Sequence, residues 1–228
     1  MGIVRKKWKI ILIIIAALLL WTFIVCYPNP YVFIRNFLRY MHFPVDPSVV
    51  GIINEEIPSD PVEIDKFVDK LVKYEYDWVN YGVPWYVPTP DDAVTRRKGD
   101  CESRAMVLAS ILSAKSVPYS LKASLVHIWV EYPGKKPNTS ENDDVSYVGK
   151  VDGRYRIKLP DLNQWRKFVS AEKEMLWDVM PSYRKVIMFS GWVVILFSGC
   201  FLFVRLVRKG NTPLAPLKRG VQANSPFS

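Results

Sequence analysis

The stretch "RRKGDCESRAMVLASIL", Arg96 to Leu112, places a cysteine directly after a Gly-Asp pair and at the head of an apolar-striped run. Asp100 is a natural helix cap, so Cys101 falls in the first turn of a helix expected to run to about Ala114. Ala105, Leu108, Ala109 and Leu112 recur at helical spacing, and the small residues permit close approach to a sheet.

Upstream, "SDPVEIDKFVDKLVKYEYDWVNYG" opens with Asp60 as cap, Pro61 at the first helical position and Glu63 completing a capping box. Ile64, Phe67, Val68, Leu71 and Val72 continue an apolar stripe that predicts a helix packed on a core. In "TPDDAV", Thr89, Pro90 and Asp92 announce a short helix expected to reach about Arg97 and to stop at Gly99. The aromatic residues Trp78, Tyr81, Trp85 and Tyr86 lie between these helices, and core packing or the wall of a cleft are both open to them.

Downstream the period changes to two. "SLKASLVHIWVEY" reads as one strand, with His127, Trp129 and Glu131 on one side and Val126, Ile128 and Val130 on the other. "DVSYVGKVDGRYRIKLP" reads as two strands around an Asp152-Gly153 turn, and "DLNQWRKFVSAEKEMLWDVM" returns to helical spacing. Helices first and strands afterwards predict an α+β domain.

Two runs lie outside this domain, "IILIIIAALLLWTFIVC" at residues 10–26 and "VIMFSGWVVILFSGCFLFV" at residues 186–204. At 17 and 19 residues without a charge, both have the length and composition of transmembrane helices. No small-x-small cleavage signal follows the first, so an uncleaved anchor is expected. Residues 27–185 hold 22 basic and 22 acidic side chains, whereas residues 1–9 carry four basic ones and residues 205–228 five. The net charge of +9 therefore sits in the tails, which predicts both termini in the cytoplasm and an extracytoplasmic domain over 27–185. It gives no support to nucleic-acid binding. The tail, residues 205–228, has the composition of a disordered segment. Just after the first span, Phe33, Phe37 and Met41 at helical spacing suggest a short helix along the outer leaflet.

Cys26 and Cys200 belong to the spans, which leaves Cys101 as the one thiol of the domain, with no partner for an internal disulfide. The unpaired N–H groups and dipole of a helix start favour a thiolate. His127, on the strand after the cysteine helix, is placed to supply an activating imidazole. The plainer alternatives are a small buried thiol and a satisfied core histidine. One cysteine and one histidine do not make a four-ligand metal pattern, and neither a metal nor a cofactor is expected.

"GDCESRAMVLASILSAKSVPY" followed by "HIWVEY", with "WYVPTPDDAVTRRKGDC" before them, resembles the core of the transglutaminase-like, or transglutaminase/protease-like, superfamily over about residues 60–160. The resemblance implies a papain/transglutaminase-like fold with Cys101 as nucleophile, His127 as general base and an aspartate on the next strand as third member. Asp143 is the first choice for that aspartate; Asp144, Asp152, Asp161, Asn138 and Glu141 are the alternatives, because the expected Asp-Pro pattern is missing. The implied activity is acyl transfer or hydrolysis on protein or peptide amides by a membrane-anchored cysteine enzyme. The competing reading is a membrane-anchored binding or scaffold module that keeps the fold without the chemistry. The partners expected are a protein or peptide, the lipid bilayer and a further membrane protein.

Overall fold

The computed structural model describes residues 2–123, 127–136, 148–151, 154–157, 169–170 and 173–210. It is a mixed α+β fold with two small sheets, and its first and last helices, α1 (Gly2–Cys26) and α7 (Ser182–Gly210), contain windows long and apolar enough to cross a membrane, Trp8–Cys26 and Ser182–Arg205. Each helix extends beyond the apolar run read from the sequence, because flanking basic residues continue a helix without penalty.

Two compact units are distinguishable, one of Met1–Thr22 with the chain from Phe189 onward, the other of Phe23–Met188. In the first, the two long helices meet where Trp192 Nε1 donates to Thr22 Oγ1 at 3.0 Å, and Thr22 Oγ1 in turn donates to Leu18 O at 2.9 Å. Gly191 admits the indole of Trp21 here: a Cβ would lie 2.0 Å from its Nε1.

The second unit is the α+β domain. It continues with α2 (Pro30–Met41), a 3₁₀ turn at Pro47–Ile52, α3 (Pro61–Leu71), the two-residue β1 (Lys73–Tyr74), α4 (Asp77–Asn80), α5 (Pro90–Arg96), β2 (Lys98–Gly99) and α6 (Cys101–Ala114). The caps at Asp60 and Thr89 act as read. Asp60 Oδ1 accepts from the N–H groups of Val62 and Glu63 at 3.0 and 3.1 Å, and Thr89 Oγ1 accepts from Asp92 N at 3.2 Å. The Glu63 carboxylate pairs with Lys66 at 2.8 Å and so turns to the next helical turn instead of back to the cap.

Helix α6 is the centre of the domain. Its expected apolar stripe is one side of a helix buried nearly all round: Met106, Val107, Ser110 and Ile111 are as enclosed as Ala105, Leu108, Ala109 and Leu112. The 3₁₀ turn, α3, α5 and the sheet surround it. Ser110 fits inside because its Oγ donates to Met106 O at 2.7 Å and accepts from Asp46 N at 3.0 Å.

Two local expectations are corrected. The chain leaves α5 through Arg97, which itself takes the left-handed conformation (φ 53°), and not at Gly99. Gly99 instead lies in β2, which pairs in parallel with β1, and a Cβ there would stand 2.1 Å from Ser103 Oγ. Gly99→Ala is expected to cost about 1–3 kcal/mol through this overlap with the first turn of α6, read as a lower thermal midpoint of the full chain in detergent.

The second correction concerns the strand through His127. The sequence read it as continuous; the structure has β3 (Ser120–Ala123) and β4 (Ile128–Glu131), antiparallel to each other with Leu121 opposite Val130. The antiparallel pair β5 (Val148–Val151) and β6 (Arg154–Ile157) flanks the Asp152-Gly153 step as expected. The four-stranded order is β4-β3-β5-β6, so β5 pairs with β3. The strand that follows β4 in the chain therefore does not pair with it, and β4 is at the sheet edge among the described residues. A one-turn π-helix, Glu174–Asp178, is described within the expected C-terminal helical segment.

The lower part of this unit is bound together by long-range contacts. Asn36 of α2, fully buried, donates from Nδ2 to Trp85 O at 2.8 Å, and Arg39 Nη1 donates to Val87 O at 2.9 Å. Tyr27 OH also donates to Trp85 O, at 3.1 Å, and Arg184 Nη1 donates to Val25 O at 2.5 Å.

Candidate functional site

Cys101 occupies the first position of α6, and its residue is only partly buried because it opens on a cavity of about 450 Å3. His127, immediately before β4, lines the same cavity with Trp129, Tyr74 and Tyr132. The fold therefore brings the two predicted residues to one concave surface. Asp143 lies outside the described residues, as do Asp144, Asp152, Asp161, Asn138 and Glu141.

The groups gathered at the sulfur are acidic. Cys101 Sγ donates to Glu102 Oε2 at 2.9 Å, while Glu102 Oε1 accepts from Trp85 Nε1 at 3.2 Å. Ligating atoms of Asp100, Cys101 and Glu102 lie within 4.8 Å of one another, and this cluster contains no histidine. The imidazole of His127 is stacked on the indole of Trp129, with ring centroids 5.7 Å apart and planes 12° from parallel.

Electrostatics follow from this company. Burial pushes the Cys101 thiol well above its usual range, and the carboxyls of Glu102 and Asp100 push it further; the N–H of Ile128 opposes them weakly. A helix N-terminus contributes about 0.3–1 kcal/mol towards an anion, whereas burial shifts a titrating group by up to several pH units, so the thiol form wins. The expected thiolate–imidazolium pair, and with it the Cys-His-Asp reaction, is overturned, while Asp143 itself lies outside the described residues. The assignments as cysteine protease, hydrolase, acyltransferase or transglutaminase-type enzyme fall with it.

Asp100 departs from its predicted role as well. Its main-chain carbonyl accepts from Arg104 N at 3.1 Å, but its side chain caps nothing. The carboxyl is turned inward, 7% exposed, beside the 3% exposed Asp77 of α4. Burial first, then the charge of Glu102, raises both well above the ordinary carboxylate range, and each acts on the other. Asp77 Oδ2 accepts from Tyr86 N at 2.6 Å, and the carboxyls of Asp77 and Asp100 are within hydrogen-bonding reach of each other. Asp100, Cys101 and Glu102 have the compactness of a metal-binding group. Glu102, however, already uses both oxygens on Trp85 and the thiol, and the positive end of the helix dipole opposes a cation.

Sequence reasoning missed Asp77 and Glu102. Glu102 was visible as the thiol's neighbour; Asp77 carried no local signal because only packing brings α4 against the start of α6. The aromatic residues upstream act structurally: Trp78 and Tyr86 are buried, Tyr81 stacks on Tyr86 at 4.1 Å, and Trp85 holds Glu102.

The remaining wall of the cavity is charged. Lys66, Arg104, Lys135 and Lys136 contribute cations, against Asp65 and Asp69. Arg104 is engaged by Asp69 at 2.9 Å and by Val72 O at 3.0 Å, and Asp65 accepts from Tyr132 OH at 2.6 Å. Comparison with family models, with curated proteins and with solved structures finds no match.

One consequence is directly measurable. Alkylation of Cys101 by iodoacetamide is expected to remain slow through neutral pH, with an onset above that of a free thiol and unchanged in His127→Ala. A fast reaction near pH 7 that disappears in His127→Ala would contradict the arrangement of groups at the sulfur.

Proposed function

We propose that this chain is a membrane-anchored binding module, without thiol chemistry, whose domain offers the Cys101–His127 cavity to a protein or peptide segment. The observation that carries the reading is the cavity itself: concave, walled by Trp129, Tyr132 and Tyr74, and richer in cations than in carboxylates. Such a surface suits an extended segment with acidic side chains, apolar contact coming from the rings and orientation from Lys136 together with Lys66 and Lys135. The last two already pair with Glu63 and Val130 O, and would exchange those contacts for the segment's carboxylates.

The two apolar helices support anchoring at both ends of the domain, over residues 10–26 and 186–204. The basic tails favour cytoplasmic termini, 1–9 and 205–228, and an extracytoplasmic domain over 27–185. A helix headed by cysteine and packed on a sheet whose edge strand follows a histidine supports a papain/transglutaminase-like framework that has kept its shape and lost its reaction. A further membrane protein is a fitting partner for a module held at that surface.

The test is binding of fluorescent acidic and basic peptides to the full chain in nanodiscs. Acidic peptides are expected to bind, the combined change Lys66→Glu and Lys136→Glu to weaken them at least tenfold, and Cys101→Ala to leave affinity within twofold. Equal affinity for basic peptides, or an effect of Cys101→Ala as large as that of the charge reversals, would dispose of this reading.

A further inference from the structure

Helix α2 turns its polar side inward. Asn36, Arg35 and Arg39 face the 85–87 segment: Asn36 binds Trp85 O, Arg35 Nη2 donates to Tyr86 OH at 2.8 Å, and Arg39 binds Val87 O. The opposite arc is apolar and open to the exterior, with Ile34 54%, Phe37 52% and Leu38 57% exposed, extended by Tyr31 and Met41. On a 3.6-residue repeat these five side chains fall on one contiguous third of the helix, with no charge among them. A helix docked on a water-soluble domain has the reverse polarity, and a continuous apolar arc of this kind marks an interaction surface.

The chain restricts the occupant. Only Tyr27, Pro28 and Asn29 separate α1, a candidate membrane span that ends at Cys26, from the first residue of α2. Three residues reach about 10 Å at full extension, so α2 cannot leave the zone in which α1 emerges from hydrocarbon. The rings of Phe23, Tyr27 and Phe33 join the two helices further, at centroid separations of 5.3 Å for Phe23–Phe33 and 5.2 Å for Tyr27–Phe33.

We infer that α2 is an interfacial helix whose Tyr31–Ile34–Phe37–Leu38–Met41 face lies in the lipid headgroup and upper acyl region, while its polar face clamps the 85–87 segment. This rests on the membrane-anchored reading and deepens it, because the clamped residues lead to the site. Trp85, whose carbonyl is held by Asn36, donates through its indole to Glu102, and Glu102 accepts from the Cys101 thiol. A helix seated at the bilayer surface is thus tied to Cys101 through a short chain of hydrogen bonds.

The experiment is spin labelling of the full chain in phosphatidylcholine/phosphatidylglycerol vesicles, in a background with Cys26, Cys101 and Cys200 changed to serine. Labels enter through Phe37→Cys, Leu38→Cys, Lys70→Cys as an exposed control on α3, and Leu19→Cys as a control in α1. Accessibility to oxygen, which concentrates in lipid, is compared with that to a polar nickel chelate, which stays in water. Labels at 37 and 38 are expected to favour oxygen, with the label at 70 favouring the chelate. Labels at 37 and 38 that favour the chelate while 19 favours oxygen overturn the interfacial helix alone. Low access to both reagents at 37 and 38 overturns it too, and assigns the face to protein, such as a second copy. A water-exposed label at 19 overturns the anchored reading together with this inference.

Discussion

Ile111→Ala is expected to destabilise the domain by about 2–5 kcal/mol, the range for removing a large aliphatic side chain from a site that cannot collapse. Ile111 is fully enclosed in α6, among the elements that surround that helix on every side. The loss combines the transfer of three carbon atoms with the void they leave, and it is a large part of the roughly 5–15 kcal/mol that holds a domain folded. Exposed Val79, 62% open, provides the comparison: Val79→Ala should change stability by no more than about 0.5 kcal/mol. Chemical denaturation of the full chain in detergent, followed by tryptophan fluorescence, measures both. An Ile111→Ala midpoint equal to that of Val79→Ala would remove α6 from the centre of the fold.

The buried acids provide the second large effect, and its sign is set by their raised pKa values. In the unfolded chain Asp77 and Asp100 ionise near pH 3.9; in the folded domain burial and mutual charge hold their protons to higher pH. Between those limits the native state binds more protons, so stability is greatest below the unfolded value and falls as pH rises towards the folded values. The loss is about 1.4 kcal/mol for each pH unit over which the two states differ by one proton. The thermal midpoint is expected to fall from pH 5 towards pH 8, and Asp100→Asn to flatten that fall by removing one ionising group. Asp77→Asn should act likewise while keeping an acceptor for Tyr86 N. A wild-type midpoint that is level from pH 5 to pH 8 would mean that the acids ionise normally and that the start of α6 is wetter than described.

The same cluster explains why the fold was more legible than its chemistry. Caps at Asp60 and Thr89, the start of α6 at Cys101 and the paired strands on either side of Asp152-Gly153 are local matters of backbone valence and side-chain period. Where a local signal misled, a distant neighbour was the cause. Gly99 looked like a helix stop, yet it is small because Ser103 presses on it. The strand through His127 looked continuous, yet its two halves pair with each other and leave β5 to pair with β3.

The sequence by itself determined the two apolar helices, the α+β class of the segment between them, and the arrival of Cys101 at a helix start. These depend on hydropathy and on repeats a few residues long, which any chain displays before it folds. Only the tertiary structure decided what meets the sulfur. Asp77, Trp85 and Asn36 reach the start of α6, directly or through one another, from positions that share no local pattern with it. Their company turned a thiol expected to ionise into one that keeps its proton and donates a hydrogen bond to Glu102. The reason is that ionisation depends on the whole surrounding charge and water content, and those are properties of packing between segments far apart in the chain.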